Sequence, residues 1–463
     1  MGAGPSSGSG PPSASDGVTD ALGQALGGSV SGLRRLSGGA SRVTSSFELT
    51  AEDGAAQPLI LQQDRGGGLA AAGRVHTEAA LLRAAAAAGV PVPKVVALGE
   101  GGEAGLATDW LVVERIEGET IPRKILRDPE WADAREALTA QCGRALAAIH
   151  RIAPEEIGGL PRRDPLRDPL PYLDGLGEVR PALELGVRWL EAHRPPAGPC
   201  VTVHGDFRSG NLLVGPDGLR AVLDWELAHG GDAAEDIGWL CAPAWRFGGP
   251  GRVGGFGDTE SLLAAYAAAG GEVMDAERVR WWEVYATVKW ATICALQASA
   301  HLSGATRSVE LAAIGRRVCE SEWDLFVLLG VEPVGDAADA AAPSPGVAAP
   351  FGRPTAAELV EAVREYVERN VMDKSEGGPQ FEARVARNAL AVVERQLQLG
   401  PAVSGAHAKR LARLGFNDDA TLARAIRSGM FDHEWRDVAA ALAASARDQL
   451  LVANPAYLPP ASA

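Results

Sequence analysis

The sequence is poor in the residues that staple a fold or span a membrane. Cysteine occurs five times in 463 residues, at 142, 200, 241, 294 and 319, and never as a Cys-x2-Cys pair. That spacing gives no support to a zinc ribbon or a disulfide framework and predicts a reducing, cytoplasmic setting. No apolar run reaches the length of a membrane-spanning helix, so no membrane partner is expected. Clustered basic residues are also missing. With 44 Lys+Arg against 59 Asp+Glu the net charge is −15, which disfavours nucleic acid as a partner. Residues 354–463 carry 13 Lys+Arg and 14 Asp+Glu, so nearly all of the acidity lies in residues 1–353. There it suits a cationic small molecule, or it is an ordinary solvated surface. Gly-x4-Gly-Lys-[Ser/Thr] does not occur, so a P-loop has no support. The opening MGAGPSSGSGPPSAS lacks both a basic and an apolar segment, and residues 1–27 are expected to form a disordered leader rather than a secretory signal.

What is present is concentrated in residues 201–240, VTVHGDFRSGNLLVGPDGLRAVLDWELAHGGDAAEDIGWL. Three short apolar runs, 201–203, 212–214 and 221–223, are strand-length and bounded by Gly, Pro and Asp. His204, Asp206, Asn211 and Asp224 therefore fall at strand ends and in tight loops, where a rigid frame can hold reactive groups. One carboxylate, an amide five residues on and a second carboxylate after a strand suit phosphoryl transfer. That reaction wants an acceptor for a hydroxyl proton and hard oxygen ligands for Mg²⁺. A metallohydrolase reading of His204 and Asp206 is the alternative, but it wants further clustered ligands and only His229 lies nearby.

HGDFRSGN followed by LDWE resembles the catalytic and metal-binding loops of the aminoglycoside phosphotransferase and choline kinase-like family. The DWELAH…ED…WL run is similar to the subgroup of kinase domains fused to acyl-CoA dehydrogenases. The resemblance implies an α+β, protein kinase-like two-lobe fold that uses ATP and Mg²⁺ to phosphorylate a small hydroxylated substrate. It implies Asp206 as the catalytic carboxylate and Asn211 and Asp224 as metal ligands. His204 would brace the loop, and Arg208 would meet the phosphoryl in transfer, where protein kinases place a lysine. Asp236 would be the buried carboxylate that pins the catalytic loop from a following helix. Subgroup resemblance slightly prefers a hydroxyacyl-CoA or hydroxy acid as acceptor, with aminoglycosides and amine alcohols also open.

A nucleotide lobe is expected ahead of that loop. Residues 33–49 read as two strands around Gly38 and Gly39, whose backbone can approach phosphates because neither carries a Cβ. Residues 58–63 read as a strand and 76–88 as a helix carrying Glu78. The resemblance requires a strand lysine paired with that Glu, but the position holds Gln62, with Gln63 beside it. An uncharged amide there leaves phosphate contact weaker or shared with Arg65 or Arg42, and it keeps a second reading open, a nucleotide-binding pseudokinase acting as a scaffold. Residues 110–115 form a strand leading to a hinge, with Glu114 and Ile116 near the adenine.

The rest is helical. Residues 136–151 set Leu138, Cys142, Ala145, Leu146 and Ile149 on one face, and helices are expected at 258–269, 275–302 and 308–329. The Ala/Pro/Gly stretch within 331–353 reads as a linker that buries little. Beyond it, a capping box at Thr355 and Glu358 starts a separate small all-α domain, 354–457. Its second helix is expected to stop at Gly400-Pro401. Nothing in this tail looks catalytic, so a homo-oligomer or partner docking is its default role. The expected organisation is a nucleotide lobe at 28–117, a catalytic lobe at 118–330, then linker and tail.

Overall fold

The structure, a computed structural model, describes residues 14–36, 42–64, 74–167, 170–175, 178–335 and 353–459. Gly38, Gly39 and Arg65 fall outside the described residues, as does most of the 331–353 linker. The chain divides into two compact units, one of residues 1–161, 200–233 and 256–273, the other of 162–199, 234–255 and 274–463.

The first unit holds a five-stranded antiparallel sheet in the order β1-β2-β3-β5-β4. Its strands are β1 Gly28–Arg35, β2 Arg42–Ala51, β3 Ala56–Asp64, β4 Val95–Gly99 and β5 Trp110–Glu114. Period-two alternation sorts its side chains. Phe47 and Leu49 of β2 join Leu59 and Leu61 of β3 in a buried core with Trp110 and Val112. The intervening residues point to the other face, where register pairs Thr44 with Gln62 and Arg42 with Asp64. The helix Arg74–Ala87 packs against β3, β4 and β5. One expectation is corrected here. Residues 14–26 form a helix, not a disordered leader, and its Leu22 is fully buried in the core with Phe47 and Leu59. Apolar Val18, Leu22 and Leu26 recur at four-residue spacing, which the Gly/Ser-rich start of the chain hides.

Two hairpin-like pairs complete the strands: β6 Cys200–Val203 with β9 His229–Asp232, and β7 Leu212–Gly215 with β8 Gly218–Val222. The helix Ala132–His150 buries the apolar face expected of it and clamps the second hairpin through Gln141. That amide accepts the Leu219 N–H at 2.6 Å and donates to the Asp217 carbonyl at 2.9 Å. Gly143 lets the helix Thr259–Ala268 approach closely, since a Cβ there would meet the Leu262 carbonyl at 2.8 Å. His150 is buried and bonded to the Tyr266 hydroxyl at 2.9 Å, which gives it a core role rather than a capping one.

The second unit is helical. Gly238 of Ala234–Cys241 packs directly on Trp282 of Ala276–Leu302, and fully buried Glu283 is held by Arg246 at 2.6 Å and Arg252 at 2.5 Å. Residues 308–329 are broken into Val309–Ile314 and Val318–Leu328 by a 3₁₀ turn. The all-helical tail is present, and its capping box forms as expected, Thr355 N–H donating to Glu358 at 2.7 Å. It is not loosely attached. Trp435–Ala453 packs on Val318–Leu328, Tyr457 donates to Asp324 at 2.7 Å, and Arg427 donates to Glu184 at 3.0 Å. The helix following the capping box keeps Leu359, Val363 and Tyr366 more than half exposed, so its apolar stripe is largely solvent-facing.

Gly400-Pro401 does not end a helix. A single helix runs Gly377–Arg413 with Pro401 inside it. Pro401 forfeits the hydrogen bond to the Leu397 carbonyl, but both flanks are pinned to Trp435–Ala453. Arg395 donates to the Val452 carbonyl at 2.7 Å, His407 meets Ser445 at 2.9 Å, and Arg410 pairs with buried Asp448. Tertiary contacts on both sides override the local stop signal. Pro401→Ala should therefore stabilise the protein by about 1–3 kcal/mol, the interior helix penalty of proline, read as a higher urea midpoint. An unchanged or lower midpoint would mean that the helix is already adapted to the proline.

Candidate active site

β6 delivers the chain to Val203, and the next residues make a tight, buried loop. His204 is fully buried against Trp225, ring centroids 4.6 Å apart, and its Nδ1 accepts the backbone N–H of Asp206 at 3.2 Å. Gly205 is obligatory, with φ +81° and a would-be Cβ 2.4 Å from the Leu227 carbonyl. Asp206 is then fixed from two sides. Arg208 Nε donates to both carboxylate oxygens, at 3.0 and 3.1 Å, and Asn211 Nδ2 donates to Oδ2 at 2.6 Å and to the Asp206 carbonyl at 3.0 Å. With its amide nitrogen committed to Asp206, Asn211 has its amide oxygen as the atom to meet a hard cation.

The second loop is tied to the first by the Leu223 N–H, which donates to the Asn211 carbonyl at 2.9 Å. The next residue, Asp224, adopts a left-handed φ of +66°, a strained conformation for a residue with a Cβ. Burial pushes its carboxyl up to about 6, and the like charges of Glu226 and Asp206 push the same way, while Arg208 and Arg42 pull it back. Glu226 is thus part of the electrostatics. The oxygen donors of buried Asn211 and of solvent-exposed Asp224, the latter repelled by Asp206 and Glu226, fit Mg²⁺. Among the described residues no group of three or more His, Cys, Asp or Glu forms a metal cage, so phosphate oxygens would have to complete the coordination.

In the sheet, Glu78 is buried and paired not with Gln62 but with Arg42 of β2, and Arg42 also lies 3.5 Å from Asp64. Gln62 Oε1 is buried with no hydrogen-bond partner. Beyond the sheet, Glu114 ends β5 exposed and donates its backbone N–H to the Lys94 carbonyl at 2.9 Å, and Ile116 follows it at the hinge. Glu119 just beyond exchanges two backbone hydrogen bonds with Val214 of β7, anchoring this crossing on the catalytic hairpin. Asp236 is fully buried in Ala234–Cys241, which belongs to the second unit. Neither Gln141 nor Asp64 was singled out from sequence, and no local pattern marks either.

The sequence matches the phosphotransferase enzyme family over residues 32–282 and a domain family of unknown function over 373–457. Mouse acyl-CoA dehydrogenase family member 10 is 30% identical over 200 residues, 40% of this chain but only 18% of that protein. A putative aminoglycoside phosphotransferase from Ralstonia eutropha shares the fold, with a TM-score of 0.54 and 21% identity over 67% of this chain and 98% of its own. Aminoglycoside phosphotransferase APH(4)-Ia, solved with ADP and hygromycin B, aligns more loosely, at a TM-score of 0.45 and 19% identity over 66% of this chain and 98% of its own.

The crowding at Asp224 should be measurable without any ligand. A carboxyl with a raised folded pKa favours folding below the unfolded value of about 4, and that advantage is lost as pH rises through about 6. Asp224→Asn removes the charge, and asparagine tolerates left-handed backbone. Because Asp224 is exposed to solvent, which screens the repulsion, the variant should be more stable than wild type by about 1 kcal/mol or less at pH 7–8, with no advantage below about pH 4. A destabilised variant at pH 7–8 would show that Asp224 is satisfied by the protein alone.

Proposed function

The chain belongs to the phosphotransferase enzyme family, and on that footing we propose that it is an ATP- and Mg²⁺-dependent kinase of a small hydroxylated molecule. The observation that carries this reading is the Asp206 carboxylate, held by Arg208 and Asn211 within the field of Asp224. Asp206 orients the acceptor hydroxyl and takes its proton as the oxygen attacks the γ-phosphorus. The bond from that phosphorus to the bridging oxygen breaks, and ADP departs. Asn211 and Asp224 hold the metal, and His204 keeps the loop in place from behind. Bound Mg²⁺ neutralises phosphate charge and orients the triphosphate. Arg208, now clamped on Asp206, is near enough to swing its charge onto the transferring group. Glu114 and Ile116 would flank the adenine.

For the acceptor, a hydroxyacyl-CoA or hydroxy acid is preferred, supported by the likeness to an acyl-CoA dehydrogenase family protein. For the tail, a docking role is supported by the exposed Leu359, Val363 and Tyr366. One observation favours a second reading, a pseudokinase scaffold: Gln62 brings no charge to the place where kinases keep a lysine. The paired Glu78 and Arg42 weigh against it.

Asp206→Asn should lower turnover by about 10²–10⁴ while Mg·ATP affinity stays within a few-fold, because the amide fills the same space but cannot accept the proton. Turnover near the wild-type rate would remove Asp206 from the chemistry. Arg208→Ala should reduce kcat more than it raises the KM for ATP, since the charge is needed most in the transition state. A change confined to KM would make it a ground-state binding group.

A further inference from the structure

We propose that Arg42 carries the phosphate-positioning charge of this site, presented from β2 in place of the β3 lysine that position 62 lacks. The inference rests on the kinase reading and deepens it. Two independent observations lead to it.

The first is register. In an antiparallel pair, residues directly opposite share a face, so Arg42, Thr44, Gln62 and Asp64 project together, away from the Phe47–Leu61 core. Arg42 lies one strand over from position 62 and two residues along, a displacement that a long guanidinium side chain can span. The second is partnership. The helix carboxylate Glu78, whose counterpart in kinases holds the strand lysine, here holds Arg42. Asp64 at 3.5 Å fixes the same guanidinium from its own strand. Arg42, Glu78 and Asp64 are each at least nine-tenths buried, so the cation is pre-set rather than mobile. With five N–H donors in a planar fork, an arginine can engage two carboxylates and still donate to phosphate oxygens.

Position 62 thus lacks a charge that position 42 supplies. A purely structural ion pair would also bury Arg42 with Glu78, and the two roles separate by ligand. The measurement is calorimetric titration of the full chain with Mg·AMP-PNP and, separately, with adenosine, which lacks phosphates. Arg42→Ala should weaken Mg·AMP-PNP by about tenfold or more and leave adenosine within about twofold. Arg42→Lys, which keeps the charge, should lose less. The relocation Arg42→Ala with Gln62→Lys should recover most of the loss, because it returns a cation to Glu78 from the neighbouring strand. Equal losses for both ligands, or no recovery from lysine at position 62, would overturn the proposal. If Arg42→Ala alone does not fold, the double variant carries the test, since it keeps a cation between Glu78 and Asp64. Mg·AMP-PNP affinity within about threefold of wild type supports the relocation, and a loss of about tenfold or more contradicts it. A wild-type chain that binds no Mg·AMP-PNP would defeat the kinase reading itself. Wild-type binding left intact in Arg42→Ala would defeat only this inference.

Discussion

Repulsion of Asp224 by Asp206 and Glu226 is the constraint that the rest of the site answers. Both neighbours act on Asp224, and its partial desolvation adds to the cost of ionising it. The protein does not relieve this by neutralising the acids. It fixes Asp206 with Arg208 and Asn211, holds Asp224 in a left-handed conformation, and brings Arg42 within electrostatic reach. Such an arrangement is costly in the absence of a ligand and becomes favourable when a divalent cation and a polyanion share the site. The expense is understandable if the site exists to bind Mg·ATP, and hard to explain if the loops were only structural.

The frame around this constraint is correspondingly stiff. The two loops are tied by the bond from Leu223 to Asn211, the hairpin beneath them is clamped by Gln141, and Gly205 makes a turn that no residue with a Cβ could make. Each is a backbone-level device that places a side chain without relying on that side chain's own flexibility. The nucleotide side is built in the same manner. Sheet register sets Arg42 beside Asp64, and helix packing brings Glu78 to meet it.

Chemistry was more legible in the sequence than packing. HGDFRSGN and LDWE are short, local and chemically constrained, so Asp206, Arg208, Asn211 and Asp224 could be assigned before any fold was known, and the structure brings them together. Four strands of the sheet were read from short apolar runs and a Gly turn, but β4, Val95–Gly99, was not. What escaped depends on residues far apart in the chain. The pairing of Arg42 with Glu78 needs strand register and helix placement at once, so sequence could name Arg42 only as one of two possible cations. The uninterrupted helix through Pro401 depends on partners at 445, 448 and 452, which no local signal reveals. The helix at 14–26 was hidden by the composition around it, and its reason for folding is the sheet core into which Leu22 inserts. Contacts such as Tyr457 with Asp324 likewise join segments that composition separates by a linker.

The central claim is that this crowded set of carboxylates transfers the γ-phosphoryl of ATP to a hydroxyl. The most direct test is ³¹P NMR of the wild-type chain incubated with ATP, Mg²⁺ and a panel of hydroxy acids, hydroxyacyl-CoA thioesters, amine alcohols and aminoglycosides. The account predicts that, with one class of acceptor, a phosphate monoester resonance grows in step with ADP and that neither appears without Mg²⁺. Tight Mg·ATP binding with no loss of the γ-phosphate signal across the panel, and no slow hydrolysis to inorganic phosphate, would contradict it.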